Sequence, residues 1–309
     1  MKAIRVHQFG GPEVLKYEDA PRPVPAADEV LIKVYASGMN PVDWKMRAGL
    51  AESLFPIQLP FIPGWDVSGE IEEVGSDILT FKKGDEVYGR PDVTRDGTYA
   101  EYVAVKANQI NFKPKSINHD KASAVPLAGL TGWQGLFDYG HLEEGQKVLI
   151  HAAAGGVGSF AVQLAKWKGA YVIGTSSEEN IDFLFDLGAD EALDYKTVKF
   201  EDRLKDVDLV FDLIGGDTQQ RSLKIIKKGG RLITIVQPKY QEEAKANDIH
   251  MEVFMTQSLP EELEQLGNLI DSGKIKPVVT RTFPLKDAAE AQKEIEKGHT
   301  RGKMVLTVV

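Results

Sequence analysis

Cysteine is absent from this chain of 309 residues. Its absence excludes disulfides and every thiolate metal site. Histidine is sparse, with six residues at positions 7, 119, 141, 151, 250 and 299. None is spaced as H-x-x-H or H-E-x-x-H, so no metal site is expected. No apolar run approaches the ~20 residues that a membrane span needs. The opening Met1-Lys-Ala-Ile-Arg-Val-His reads at once as a strand and lacks the apolar core of a signal peptide. Blocks of like charge are also missing, and Lys+Arg 37 against Asp+Glu 46 leaves the chain at −9. Binding to nucleic acid needs clustered Lys and Arg, so no nucleic-acid partner is expected. These absences predict a soluble, cytoplasmic protein with no membrane partner.

With 42% hydrophobic residues the chain can bury a substantial core, and its length suggests two domains. Residues 1 to about 120 read as short strands: Ala3–Val6, Glu29–Ala36, Val67–Val74, Glu86–Tyr88 and Tyr99–Val105. Turn signals such as Gly10-Gly11-Pro12, Lys83-Gly84-Asp85 and Asp96-Gly97 separate them. Their even spacing argues for a compact β-barrel-like domain. One short helix is expected after Asn40-Pro41, and a Pro-rich loop from Phe55-Pro56 to Pro63-Gly64.

From about Ala122 the pattern changes to strands alternating with helices. Val148–His151, helix Val157–Trp167, Tyr171–Thr175, helix Glu179–Leu187 and Ala192–Tyr195 come first. Asp208–Ile214, helix Thr218–Ile226, Arg231–Val236, Met251–Met255 and helix Pro260–Ser272 follow. Such a run of βα units makes a parallel sheet wound by helices, an α/β architecture. Lys168-Gly169, Leu187-Gly188 and Lys228-Gly229-Gly230 are read as helix stops. The tail holds a helix, Leu285–Lys297, and a lone last strand, Met304–Val309. That strand needs a partner, and the β-rich N-terminal part is the obvious one.

The richest motif is Ala152-Ala-Ala-Gly155-Gly156-Val157-Gly158-Ser159, set between an apolar strand and an amphipathic helix. There the bare N–H groups and positive dipole end of a helix can face an anion. Gly155 lets the chain turn toward a pyrophosphate, and Gly158 lets the helix pack close to the strand. A dinucleotide cofactor follows. The acid that binds the ribose of NAD should lie ~20 residues further on, at the end of the second strand. Thr175-Ser176-Ser177 stand there, with no carboxylate before Glu178. Small hydroxyls tolerate a 2′-phosphate where an acid would repel it, so NADPH is expected, with Lys196 as a possible cation. The same residues can also N-cap the next helix.

Several phrases, in order along nearly the whole chain, resemble the medium-chain dehydrogenase/reductase superfamily. They are Gly84-Asp-Glu-Val87, Leu127-Ala-Gly-Leu-Thr131, Ile150-His-Ala-Ala-Ala-Gly-Gly-Val-Gly158, Val162-Gln-Leu-Ala165, Leu187-Gly-Ala-Asp190, Leu193-Asp-Tyr195 and Gly298-His-Thr-Arg-Gly-Lys303. The resemblance implies a GroES-like β-barrel catalytic domain from residues 1–121 and 276–309. It implies a Rossmann domain, a doubly wound parallel sheet, over 122–275, and a homodimer. Zinc alcohol dehydrogenases of the superfamily carry a Cys where Asn40 stands and Gly-His-Glu where Gly64-Trp65-Asp66 stand, and their four-Cys loop is missing here. The chain therefore resembles the zinc-free quinone oxidoreductase branch. Asn40-Pro-Val-Asp-Trp-Lys45 and Glu179-Asn180-Ile-Asp-Phe183 are most similar to plant NADPH-dependent quinone and enone oxidoreductases. Those reduce quinones or the C=C bond of α,β-unsaturated carbonyls. By the same resemblance Thr131, Asn180 and Tyr195 join the cofactor site, and Lys303 is expected to reach the cofactor.

Hydride transfer to an enone or quinone leaves negative charge on the acceptor oxygen, and without a metal a fixed donor must stabilise it. Asn40 and Lys45 are the candidates. Lys45 can polarise the carbonyl and also hold the cofactor, a role the resemblance implies for it. Asn40 either donates through its amide or caps the helix. Asp43 is read as tying the backbone or Lys45, Trp65 and Asp66 as packing and loop-fixing. Tyr35 and Trp44 either line an aromatic pocket or pack in the core. The strand ends at Ile214-Gly215-Gly216 and Ile235-Val236-Gln237 are expected to touch the nicotinamide. Two other readings remain open: a 2-enoyl-thioester reductase, which would want a basic approach for a CoA phosphate, and a non-catalytic NADPH-binding sensor.

Overall fold

The strand Glu29–Gly38 explains the first part of the chain. Nearly every one of its side chains is buried, which requires partners on both edges and cover on both faces. It pairs antiparallel with Val67–Val74 on one side, and with Tyr102–Lys106 and Lys303–Thr307 on the other. The computed structural model describes every residue except Ile57 and Val309. The lone last strand thus finds its expected partner, over Lys303–Thr307; Val309, and Ile57 of the Pro-rich loop, lie outside the described residues.

The chain divides into two compact units, one of Met1–Leu130, Ser258–Gly273 and Pro277–Val309, the other of Thr131–Gln257 and Lys274–Lys276. In the first unit a seven-stranded sheet runs Val279–Pro284, Lys303–Thr307, Glu29–Gly38, Val67–Val74, Glu86–Gly89, Ile110–Phe112, with Tyr102–Lys106 beside Glu29–Gly38. Val30, Ile32, Val34, Val67 and Ile71 fill its interior. Each such side chain contributes about 1.5–3 kcal/mol by leaving water. A second cluster, around Met39, Met46, Trp65 and Tyr99, seats the short helix Pro41–Arg47. Arg47 is buried at the end of that helix and donates to Gly10 O at 3.1 Å, to Gln292 Oε1 at 3.0 Å and to Glu296. It thereby ties the helix to Ala288–Glu296.

Helix Pro260–Asp271, which the sequence groups with the βα run, lies in the first unit. Leu263, Leu266 and Ile270 form its buried face. Tyr88 Oη donates to Leu263 O at 2.5 Å, and the Asp271 carboxylate accepts the Lys115 and Ser116 N–H groups.

The second unit is the parallel sheet. Its six strands run in the order Glu191–Asp194, Tyr171–Ser176, Lys147–Ile150, Val207–Asp212, Ile226–Thr234, His250–Val253. All pair in parallel, so all their C-terminal ends share one edge. The helix Gly156–Lys168 ends at Gly169 in the left-handed region, φ 89°, as its Lys-Gly stop predicts. Lys228-Gly229-Gly230 is not a helix stop. The helix there ends at Leu223, and the three residues lie inside the strand Ile226–Thr234. Gly229, at φ 74°, absorbs a register shift against Val207–Leu209, so a turn-like dipeptide marks a bulge. No helix among the described residues is long and apolar enough to cross a membrane.

Candidate active site

The glycine turn stands at the C-terminal edge of the parallel sheet. Gly155 N donates to Ala152 O at 2.9 Å, which closes the turn, and Ala153 N donates to Thr175 O at 3.0 Å, which pins it to the neighbouring strand. Gly155 is the N-cap of Gly156–Lys168, and no side chain caps that helix. Its first N–H groups, at Gly156, Val157 and Gly158, are therefore open to an anion. A Cβ on Gly158 would lie 2.3 Å from Ala152 O and 2.6 Å from Ala153 Cα, both backbone atoms. Only glycine allows this approach of helix to strand. These residues fit a dinucleotide pyrophosphate.

The neighbouring strand end carries three hydroxyls whose protons can be followed. Ser222 Oγ donates to Thr218 O at 2.7 Å, so its 3.0 Å contact with His151 Nε2 takes the proton from the ring. Burial pushes the His151 imidazole down to about 4, so the ring is neutral and its Nδ1 accepts. Thr175 Oγ1, 3.1 Å away, is then the donor. Ser176 Oγ donates to Ser177 O at 3.1 Å, and Ser177 Oγ to Glu179 Oε1 at 3.0 Å. Asn180 Nδ2 donates to Ser177 Oγ at 3.1 Å. The expectation that these hydroxyls would donate to a 2′-phosphate meets a different arrangement, since all three protons are committed within the protein. Tyr195 N donates to Ser176 O at 3.1 Å, which places Tyr195 beside them, and the Lys196 ammonium lies 6.0 Å from the Tyr195 ring.

Further along the edge, Asp212 is fully buried and organises two strand ends. It accepts from Ile214 N and Gly215 N at 3.0 Å, from Gln219 Nε2 at 2.9 Å and from Thr234 Oγ1 at 3.0 Å. Val236 N donates to Thr234 Oγ1 at 3.2 Å. The Ile214 and Val236 N–H groups thus serve the fold, while the Ile214 side chain is half exposed. Gln237 and Ile235 follow the same strand end; Gln237 O accepts from Gln219 Nε2 at 3.4 Å. Thr131 is buried against Thr256, hydroxyl to hydroxyl at 2.7 Å.

In the first unit the structure gathers Asn40, Asp43, Asp66, Tyr99 and Lys303, all at most 4% exposed. Lys303 Nζ donates to Met39 O at 2.8 Å and to Asn40 Oδ1 at 2.5 Å, and lies 3.4 Å from Asp66 Oδ2. Asn40 Nδ2 donates to Asp66 Oδ2 at 2.9 Å, and Leu127 N to Asp66 Oδ1 at 2.7 Å. The amide is therefore oriented by a cation at its oxygen and a carboxylate at its nitrogen. Asn40 N donates to Asp43 Oδ2 at 2.7 Å across the first turn of Pro41–Arg47, and Tyr99 Oη donates to the same oxygen at 2.8 Å. Burial pushes the Asp43 carboxyl up to about 7; the Asn40 N–H, the Tyr99 hydroxyl and the Lys303 ammonium pull the other way, and Asp66 adds to the rise. Asp43 thus ties the backbone, as one of the two sequence readings has it, and not Lys45.

Lys45 is exposed, and its ammonium lies 5.9 Å from the Trp44 ring. Tyr35 Oη donates to Glu70 Oε2 at 3.1 Å, its ring packs edge-on against His119, and Trp44 packs partly buried on the core. Lys303 was expected to touch a cofactor; its ammonium instead has three acceptors inside its own unit. Sequence reasoning also missed Tyr99, which sits 56 residues from Asp43, and no local pattern marks it.

The family model of the alcohol dehydrogenase GroES-like domain matches residues 26–115, and that of zinc-binding dehydrogenases matches 187–306. Quinone oxidoreductase of Mus musculus is 36% identical over 99% of this chain and 97% of its own length. The solved quinone oxidoreductase of Coxiella burnetii is 37% identical with a TM-score of 0.94, covering 100% of this chain and 99% of the other. That of Escherichia coli, solved as a complex with NADPH, is 30% identical with a TM-score of 0.91, covering 100% of both chains.

The zinc that the second family model's description names does not suit the residues here. Trp65 offers only an indole N–H, which cannot ligate a metal. Asn40 Oδ1 and Asp66 Oδ2 both face the Lys303 ammonium, whose fixed charge would repel a dication. Among the described residues no three His, Cys, Asp or Glu side chains converge.

Proposed function

The chain belongs to the quinone oxidoreductase branch of the medium-chain dehydrogenase/reductase superfamily, and from that premise we propose that it carries a hydride from NADPH to a quinone or to the C=C bond of an α,β-unsaturated carbonyl. The observation that carries this reading is the glycine turn, with its uncapped helix start and the close approach at Gly158. When bound, the nicotinamide supplies the hydride. The backbone of Gly155, Gly156, Val157 and Gly158 holds the pyrophosphate. Residues at the strand ends, Thr175 to Ser177, Asn180, Tyr195, Ile214, and Ile235 to Gln237, surround the rest of the cofactor, with Thr131 near them in the reading.

Charge develops on the acceptor oxygen as the hydride arrives. Lys45 answers it: its side chain is exposed and stands on a helix held at both ends. Asn40 has a different part. Its amide is committed at both ends, so it acts as a positioning residue that fixes the start of the Lys45 helix. The one proton that completes the reduction comes from water.

The test is steady-state NADPH oxidation in metal-free buffer with a quinone, a short enone and a saturated aldehyde, run beside Lys45→Ala. Turnover with quinone or enone but not aldehyde, and a kcat at least ~10-fold lower in the variant, is the expected result; that factor is about 1.4 kcal/mol of barrier. Binding of NADPH without turnover of any acceptor overturns the reductase reading and favours a sensor.

A further inference from the structure

The end of the strand Tyr171–Ser176 is where a dinucleotide's adenosine ribose is read, because the strand adjoins the glycine turn through Ala153 N and Thr175 O. Its hydroxyl protons all point away from a ligand. Thr175 gives its proton to His151, Ser176 to Ser177 O, and Ser177 to Glu179. The last of these is the one that can change. Thr175 and Ser176 are buried, with 2% and 5% exposure, whereas Glu179 is an exposed side chain folded back onto Ser177.

Resting on the dinucleotide reading above, we infer that Glu179 sets the balance between NADPH and NADH. With its carboxylate on Ser177, the site offers a 2′-phosphate no free hydroxyl and adds a like charge. A ribose 2′-hydroxyl, in contrast, can donate to that carboxylate. A 2′-phosphate is accommodated when Glu179 swings away, which frees the Ser177 proton, while Asn180 Nδ2 stays beside it. The chain therefore accepts both dinucleotides, and its preference for NADPH is narrower than the absence of an acid at positions 175–177 suggests. Glu178 is also exposed but forms no hydrogen bond with the three hydroxyls among the described residues, so the bond to Ser177 is what separates the two acids.

The experiment is calorimetric titration of the full chain with NADPH, NADH, 2′,5′-ADP and 5′-AMP, on the parent, Glu179→Gln, Glu179→Ala and Glu178→Gln. Removing one negative charge ~6 Å from a doubly charged phosphate in water tightens binding about tenfold. The Kd ratio of NADH to NADPH should rise about tenfold in Glu179→Gln and further in Glu179→Ala, which also frees the Ser177 proton. The ratio of 5′-AMP to 2′,5′-ADP should follow. Glu178→Gln should move either ratio by less than about threefold. Ratios unchanged within twofold in both Glu179 variants overturn the inference, as does an equal change in Glu178→Gln. If the parent binds neither dinucleotide, the proposed function itself fails and this inference with it. Both glutamates are exposed, so loss of fold does not confuse the result.

Discussion

Replacing Asp43 by Asn should make the protein steadily more stable, relative to the parent, as pH rises from 4 to 7. Asp43 is fully buried, and its carboxyl is pushed up to about 7, against 3.8 as its ordinary value. Between those values the folded protein keeps a proton that the unfolded chain releases. The stability tied to that proton is fully present below pH 3.8 and is lost as pH rises through 7. Each pH unit across the window is worth about 1.4 kcal/mol, so the whole loss is about 4 kcal/mol at most. Asparagine keeps an oxygen to accept from Asn40 N–H and Tyr99 Oη, and it never ionises. Urea unfolding of both proteins from pH 5 to 8.5 reads the difference directly. The gap between variant and parent should widen by about 2.5 kcal/mol from pH 5 to 7 and level off above pH 7.5. Groups that titrate in both proteins cancel. A gap that stays flat within about 0.5 kcal/mol across that range would refute the argument that burial holds the proton on Asp43.

Removing the buried cation should be costly: Lys303→Met leaves Asp66 without its charge partner, an expected loss of about 3–5 kcal/mol by urea unfolding. Adding Asp66→Asn to that variant should restore at least half of the loss, and no recovery would show that the carboxylate is not what suffers. Gly158→Ala should weaken NADPH binding by about 100-fold or more in a calorimetric titration, since its Cβ would press on the backbone of Ala152 and Ala153. For His151, whose folded value is depressed to about 4 from 6.5, stability is full above pH 6.5 and is lost as pH falls toward 4. Nitrogen NMR at pH 6 should find the ring neutral with its proton on Nε2; a charged ring at that pH contradicts the hydrogen-bond directions drawn from Ser222 and Thr175.

The parallel sheet is legible in the sequence because its central strands, Lys147–Ile150 and Val207–Asp212, are short and largely apolar and run into glycine turns. The strand Ile226–Thr234 was half hidden, since Lys227-Lys228-Gly229-Gly230 reads as a turn until a neighbouring strand shows the bulge. Leu15–Asp19 was missed because only Leu15 is buried in it, too little for alternation to register. The helix Pro126–Trp133 was missed for the opposite reason: it is apolar around its whole surface and shows no helical period. The glycine turn could be read locally, as strand, turn and helix in sequence. The knot of Asn40, Asp66 and Lys303 could not, with 26 residues between the first two and 237 between the last two. Resemblance put those positions in one set of motifs, yet it did not say that one lysine would be buried as a structural cation while Lys45 stays exposed. Likewise the three hydroxyls at 175–177 were visible as letters, but the direction of each proton depends on His151, Ser222 and Glu179.

The last strand carries a consequence for how the molecule is made. Lys303 meets Asn40 across 263 residues of chain, and Lys303–Thr307 completes a sheet whose first long strand begins at Glu29. A ribosome that has delivered the first 130 residues has therefore delivered an unfinished sheet, with the Ala36–Gly38 end of that strand lacking its later partner and Asp66 lacking its cation. The parallel sheet is nearly continuous in sequence, and its six strands are all available once Val253 has emerged. It can close during synthesis, while the β-rich part must wait until Lys303–Thr307 has emerged. The arrival of that strand is then the step that completes the sheet of the unit that holds Lys45. Deleting the tail beyond His299 should accordingly leave a chain with an intact nucleotide-binding unit and a sticky, half-built neighbour, prone to associate through its open strand edge.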